Sequence, residues 1–317
     1  MNVFEVLEPG LHTTVQDLGR IGYQKYGIGQ SGVMDDYSFQ LGNLLLGNDR
    51  NAAGLEITML GPNLRIVKDV VIAITGANLS PAVNGEPVAM WSTLFLHKGD
   101  ELQFGKPQIG ARAYILVAGG IEVSEVMGSR STNIKGRFGG WEGRALEKED
   151  VIVGSNLTSK FLRKRTLAHD VLPNMSGDDE IRVISGPQED MFSEEAITAF
   201  YQSSFKITTS SDRMGYRLEG EYLHCENQGE MITDAVALGS IQVPGDGNPI
   251  VLMADRQTSG GYPKIANVIS VDMWKVAQRL PGQALTFKKI ELEEAHQELH
   301  KREKIFKQLQ IAGRMYS

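Results

Sequence analysis

Five short blocks hold most of the side chains in this sequence that are equipped for chemistry. They run from Gly10 to Arg20, from Gly29 to Asp35, from Gly128 to Thr132 continuing as Gly139 to Arg144, from Ser210 to Gly215 followed by Gly239 to Pro244, and from Asp255 to Pro263. Each is rich in Gly, with Ser, Thr, Asp, Gln or Arg beside it. Loops of this kind expose backbone N–H groups that cradle carboxylate or phosphate oxygens, and an arginine adds a two-pronged anion clamp. Asp and Gln supply the acceptors and amide donors that fit a planar amide or ureido group. Taken singly, each block also reads as a solvated turn. Five of them in one chain point to a polar binding site.

The commoner catalytic signatures do not account for these blocks. Gly27-Ile28-Gly29-Gln30-Ser31-Gly32 spells G-x-G-x-x-G, but the dinucleotide fingerprint needs an apolar strand ending at its first glycine. Polar Gly22 to Tyr26 stands there instead. There is no P-loop, no H-E-x-x-H, no C-x-x-C and no G-x-S-x-G elbow. The six histidines do not cluster at ligand spacing; His296 and His300 share a helical face but lack a third ligand. No metal site is expected. Cys225, the single cysteine, excludes an intrachain disulfide framework and fits a reducing cytoplasm.

The elements that must position the blocks are mostly strands. Glycine makes up 35 of 317 residues and punctuates short apolar runs, among them Asn63 to Val67, Val70 to Ile74, Thr93 to Leu96, Glu101 to Phe104 and Ala113 to Val117. Asn84-Gly85 is the signal of a type I′ hairpin. Strands at this spacing, without long helices between them, predict antiparallel sheets or barrels rather than a doubly wound α/β sheet. Helices are expected in three places. Asp35 or Asp36 caps the first, which ends at Gly47. Ser193 caps the second, with Ile197 and Phe200 inward. The third is C-terminal, docked by Leu292, Ala295, Leu299, Phe306 and Leu309. A boundary is expected near 160–180, where basic Lys160 to Arg165 precedes a linker-like Leu172 to Glu180. Arg20-Ile21-Gly22-Tyr23 and Arg213-Met214-Gly215-Tyr216 suggest a short internal echo.

Composition bounds the partners. Lys plus Arg is 32 and Asp plus Glu is 39, a net charge of −7, which disfavours a dedicated nucleic-acid binder that must neutralise phosphates. No apolar run approaches the roughly 20 residues of a membrane-spanning helix. Met1 to Glu8 has neither a basic n-region nor an apolar h-region. A cytoplasmic protein is expected, with neither a nucleic-acid nor a membrane partner.

In combination the blocks carry a family resemblance. Thr14-x-Gln16-Asp17-x-Gly19-Arg20 together with Asp255-x-Gln257-Thr258-x-Gly260-Gly261-Tyr262 resembles the bacterial 5-oxoprolinase C-subunit family, also called KipA-like or allophanate-hydrolase-subunit-2-like. The chain is similar as well to the carboxyltransferase domain of urea carboxylase. The matching stretches extend over nearly all of residues 1–290, with Glu149-Asp150 standing where Gly-Asp would be expected. The resemblance implies a mainly β fold of two cyclophilin-like β-barrel modules with a few short helices and a C-terminal helix. The corresponding segments are 1–170, 171–290 and 291–317.

For function, the resemblance implies a subunit, inactive alone, of a complex that opens the 5-oxoproline lactam to glutamate at the expense of ATP, Mg being an open addition. Its partners would be the other two components of 5-oxoprolinase, a KipI-like B-subunit plus an A-subunit. Two other readings stay open: a biotin-dependent carboxyltransferase component acting on urea or an amide, and a non-enzymatic KipA-type regulator that binds a KipI-like partner. No Met-Lys-Met of a biotin carrier occurs, so no covalent biotin is expected on this chain. Within the matched blocks, Asp255, Arg213 and Asp17 are expected to be catalytic, and Arg20, Asp35, Gln242, Gln257 and Tyr262 to bind substrate. Arg213 is the first choice for clamping an anion and Arg20 the second. Asp255 is a possible acceptor or base, orienting the amide with Gln257 and Tyr262. Gly128 to Gly143, rich in turn formers, is expected to be a mobile loop bordering the site.

Overall fold

The computed structural model describes residues 1–155, 164–177, 180–225 and 231–315. Residues 160–163 of the basic run and 178–179 of the linker-like stretch lie outside the described residues. The chain forms two compact units. One gathers the described residues of 1–20, 31–175 and 303–315, the other those of 21–30 and 176–302.

The first unit is built on two antiparallel sheets. One has six strands, in the order Val151–Val153, Asn2–Glu8, Asn63–Ile66, Glu101–Phe104, Pro81–Val83 and Glu86–Pro87. The other has five: Thr13–Gln16, Gly54–Thr58, Ile109–Val117, Val70–Asn78 and Thr93–Leu96. Successive side chains of a strand point to opposite faces, and the strand Val70–Asn78 uses both. Val70, Ile72 and Ile74 join Phe4, Leu64 and Leu102 in one core, whereas Val71 and Ala73 face a second core with Phe39, Leu41 and Leu44. Burial on both faces is why Val70 to Ile74 reads as an unbroken apolar run instead of alternating. Asn84 and Gly85 both adopt positive φ, 53° and 84°, the type I′ geometry their sequence predicts.

Helix α1 (Asp36–Leu45) covers the outer face of the five-stranded sheet, and its N-cap is Asp35, whose carboxylate accepts from Ser38 N. Ser193 caps α2 (Glu194–Gln202) in the second unit as expected, but its buried residues are Ala196 and Phe200, with Ile197 only partly covered. The inward stripe is therefore set one residue earlier than the pattern of large apolar side chains suggests. A short helix, α3 (Met273–Ala277), went unpredicted because five residues carry no full apolar period. In α4 (Leu292–Met315), Ala295 and Leu299 pack in the second unit and Phe306 and Leu309 in the first, while Leu292 stays half-exposed. The two tetrapeptides that echo each other differ locally: Ile21 lies in an exposed loop, whereas Gly215 opens a strand.

The second unit holds an eight-stranded sheet. Its order is Ala284–Leu285, Phe205–Ile207, Gly215–Glu219, Ile250–Leu252, Ser240–Gln242, Lys264–Val268, Ile181–Ser185 and Phe287–Lys289. The two edge strands are separated in sequence by Thr286 alone. The sheet thus curls until its edges meet at one point of the chain, a nearly closed barrel. The fold is mainly β with a C-terminal helix, as expected.

A staple near the six-stranded sheet yields a stability prediction. Arg144 donates from Nη1 and Nη2 to Asp150 at 2.7 and 2.8 Å, and Glu147 N adds a third bond at 2.7 Å. Burial pushes the Asp150 carboxyl up, but these donors outweigh it and hold the group below the ordinary carboxylate range. A depressed carboxyl contributes stability above its unfolded pKa and loses it as pH falls through the folded one. Asp150→Asn should therefore cost about 1–3 kcal/mol at neutral pH. In urea titrations the gap to wild type should close below a pH of about 4.

Candidate functional site

The sequence-predicted residues fall into two groups, one in each unit. In the first unit, Asp17 follows the strand Thr13–Gln16 and is almost fully buried. Its Oδ1 accepts from Gly19 N at 2.8 Å, Ser129 Oγ at 2.7 Å and Ser131 Oγ at 2.6 Å, and its Oδ2 accepts from Arg130 N at 2.6 Å. A carboxylate offers about four acceptor positions; here three donors converge on Oδ1 and one reaches Oδ2. Asp17 thereby braces the 129–132 segment against the strand. Thr132 reinforces the lacing, its N and Oγ1 both donating to Val15 O.

Arg20 is fully buried. It donates from Nε to Val126 O at 3.0 Å and from Nη2 to Ser131 O at 2.8 Å, and its guanidinium lies 4.8 Å from the Phe138 ring centroid. It therefore serves the same segment from beneath. These bonds tie the first part of the Gly128 to Gly143 segment to the body of the unit. Ser129, Ser131 and Thr132 are buried. A Cβ at Gly139 (φ +69°) would sit 2.3 Å from Ser131 O, an approach only glycine permits. The segment is tied down at 129–132 and at Gly139, while Ile134 to Arg137 form an exposed turn. Part of it, from Phe138 to Gly143, lines a cavity of about 770 Å³ together with Glu122, Val126 and Val153.

Asp35 is the buried cap of α1. Its backbone N donates to Tyr114 Oη at 2.8 Å, Tyr114 Oη donates to Glu56 Oε2 at 3.0 Å, and Met34 N donates to the same oxygen at 2.7 Å. Burial, then the charges of Glu56 and Asp35, push the Tyr114 phenol well above its ordinary pKa. It stays a hydrogen-bond donor at any working pH. Sequence reasoning passed over both Glu56 and Tyr114. The available signal was a polar side chain inside an apolar strand, in Leu55-Glu56-Ile57 and Ala113-Tyr114-Ile115.

In the second unit, Arg213 and Asp255 meet each other. Arg213 Nε lies 2.8 Å from Asp255 Oδ2 and Nη2 lies 3.3 Å from Oδ1, and Asp255 N donates to Arg213 O at 2.8 Å. The expected anion clamp and the expected base thus bind one another through a two-pronged, mostly buried bridge. Gln242, in the strand Ser240–Gln242, is buried and donates from Nε2 to Tyr262 O at 3.3 Å. Gln257 is exposed and the Tyr262 ring is half-exposed, so both can reach an incoming molecule.

Between Asp255 and Gln257 stands Arg256, which the selection of site residues omitted. It is buried and donates to Gln30 Oε1 at 3.2 Å and to the carbonyls of Val236 and Met253 at 3.4 Å each. Burial pushes its pKa down to about 10. Its place inside a block already singled out for an anion was the signal. Among the described residues, no group of three or more His, Cys, Asp or Glu side chains is arranged to hold a metal ion. No helix among them is long and apolar enough to cross a membrane.

The fold has its counterpart in the carboxyltransferase domains of solved structures. The chain belongs to that family: the model of the carboxyltransferase domain, subdomain A and B, matches residues 26–289. It is 36% identical to the 5-oxoprolinase C-subunit of Escherichia coli over 307 residues, 97% of each chain. It is 35% identical to urea amidolyase of Lachancea kluyveri over 93% of its own length but 17% of that protein. The crystal structure of K. lactis urea amidolyase superposes with a TM-score of 0.92 at 33% identity, over 97% of this chain and 20% of that one. The chain thus spans about a fifth of the solved structure that it matches.

Two substitutions check the bracing roles. Asp17→Asn places an amide N–H₂ among donors and should cost about 3 kcal/mol or more in urea unfolding. Arg213→Lys keeps the charge but loses the fork, and should cost about 1–2 kcal/mol. Arg213→Ala, which leaves Asp255 without its guanidinium, should cost more than the lysine variant.

Proposed function

We propose that this chain is a component of an ATP-dependent 5-oxoprolinase complex. It would work in the cytoplasm with a KipI-like B-subunit, plus an A-subunit, to open the lactam of 5-oxoproline to glutamate. The observation that carries the reading is the extent of the likeness to the E. coli C-subunit, 97% of both chains. The likeness to urea amidolyase, by contrast, occupies 17% of the longer protein.

The chemistry suits what the residues offer. A lactam carbonyl is resonance-stabilised, and transfer of the terminal phosphoryl group of ATP to its oxygen, with release of ADP, would activate the carbon toward water. Expulsion of the ring nitrogen as the amine then breaks the C–N bond, and a second water hydrolyses the resulting acyl phosphate to glutamate and phosphate. The charge that then develops asks for N–H and guanidinium donors more than for a protein nucleophile. On this reading, exposed Gln257 and half-exposed Tyr262 orient the amide. Buried Gln242 holds the Tyr262 backbone, and the Arg213–Asp255 bridge fixes the loop that carries them. Asp255 acts as a positioning residue, since Arg213 occupies both of its oxygens. The nucleotide is assigned to the complex, and no residue of this chain to Mg or biotin.

A second reading, carboxyl transfer to urea or an amide, draws support from the TM-score of 0.92 with K. lactis urea amidolyase. Reconstitution separates the two. Purified chain mixed with its A- and B-type partners, 5-oxoproline and ATP should form glutamate, and leaving out any one component should stop it. No glutamate from partners that turn over with a reference C-subunit would reject the oxoprolinase reading. Tight binding to the KipI-like partner without turnover would point instead to a KipA-type regulator.

A further inference from the structure

The arginines of the second unit differ in what answers their charge. Arg182 meets Asp272 at 2.7 Å and Glu298 at 2.9 Å, and Arg213 meets Asp255 at 2.8 Å. Arg256, 5% exposed, reaches only neutral oxygens among the described residues: Gln30 Oε1 at 3.2 Å, and Val236 O and Met253 O at 3.4 Å. These lengths lie at or beyond the long end of the N–H···O range. Burying a cation against dipoles alone is costly unless an anion completes the site.

A second buried cation stands beside it. Lys264, 3% exposed, donates to Ala235 O at 3.2 Å and to Asp234 at 2.9 Å. Arg256 and Lys264 thus bond the carbonyls of consecutive residues, Val236 and Ala235. Asp234 is the one carboxylate bonded to the pair among the described residues, and its side chain is 59% exposed. The cluster is short of one negative charge.

An amide and two solvent-facing side chains adjoin it. Asp234–Ala235 pairs with Ser259–Gly260, and a Cβ on Gly260 would lie 2.5 Å from Gln242 Nε2, so that amide is pressed against the same strand pair. Gln257, next to Arg256, and Tyr262 open toward solvent.

We propose that Arg256 is an anion-binding residue of this chain: its guanidinium, held at the strand pair that Lys264 and Gln242 also contact, receives the carboxylate of a small cyclic-amide ligand. The identity of that ligand as 5-oxoproline rests on the oxoprolinase reading; the anion site itself does not. Arg213, expected from sequence to clamp the anion, is already engaged by Asp255, and Arg256 takes that task.

The test is binding to the full chain at low salt, followed by calorimetry. The ligands are 5-oxoproline, 2-pyrrolidinone (the same lactam without the carboxylate), acetate and ATP. Wild type should bind 5-oxoproline at least about tenfold more tightly than 2-pyrrolidinone, and Arg256→Gln should erase that difference, with Arg256→Lys between. The ligand-free melting temperature of Arg256→Gln should equal or exceed wild type, because the substitution removes an unanswered buried charge. Undiminished 5-oxoproline binding in folded Arg256→Gln would overturn the proposal. So would a wild type that binds none of the anions, a wild type that prefers ATP through Arg256, or a ligand-free Arg256→Gln or Arg256→Lys that melts well below wild type. Acetate or 5-oxoproline binding that is lost in Arg256→Gln, in a chain whose reconstituted mixture forms no glutamate, would uphold the anion site and reject only the oxoprolinase reading.

Discussion

A carboxylate withdrawn from water must be given donors, and much of the first unit around the 129–132 segment is arranged to meet that demand at Asp17. Its oxygens draw in the backbone of Gly19 and Arg130 and the hydroxyls of Ser129 and Ser131. With those bonds made, Ser131 O is fixed as an acceptor for Arg20, and Arg20 in turn lies against Phe138. One buried charge thereby sets the course of a glycine-rich segment that has few apolar side chains of its own to hold it. Hydrophobic burial supplies the two cores on either side of the five-stranded sheet. It has no means of specifying a loop so polar.

The second unit solves a similar problem with the opposite sign. It buries cations as well as the carboxylate of Asp272, and the partners of its arginines grade from two-pronged carboxylates at Arg182 and Arg213 to carbonyl and amide oxygens at Arg256. Charges fully answered inside the fold brace it and have little left to offer a ligand. Those answered by dipoles alone retain most of their field. Within one unit the same side-chain type therefore serves as scaffold at one position and as reserve at another.

How much of this was legible in the sequence followed the range of the interaction. Asp35 as a helix cap, Asn84-Gly85 as a type I′ turn and Val70 to Ile74 as a strand are local consequences of side-chain size, backbone freedom and hydrogen-bonding capacity, and all three appear as expected. The polar blocks were also correctly singled out as unusual. What each residue does within them was not readable. Asp17 finds Ser129 and Ser131 at separations of 112 and 114 residues, and no local pattern encodes such a meeting. Arg213 and Arg256 occupy equally Ser- and Gly-rich surroundings. Which of them is neutralised depends on where Asp255 falls in three dimensions. Turn-forming composition at Gly128 to Gly143 suggested motion, because composition counts backbone freedom and omits the long-range bonds at 129–132.

The near-closure of the eight-stranded sheet carries a consequence for how the chain is made. Ile181–Ser185 takes its parallel neighbour from Phe287–Lys289, and Phe205–Ile207 takes one of its neighbours from Ala284–Leu285. A ribosome releasing the polypeptide from its N-terminus therefore exposes two unsatisfied strand edges until the last tenth of the chain emerges. Unpaired edges are templates for pairing with other chains. Both edges are closed by one hexapeptide, Ala284 to Lys289, so the interval of risk ends in a single late event. Premature termination between Val268 and that hexapeptide would leave the other six strands of the sheet in place and neither border sealed.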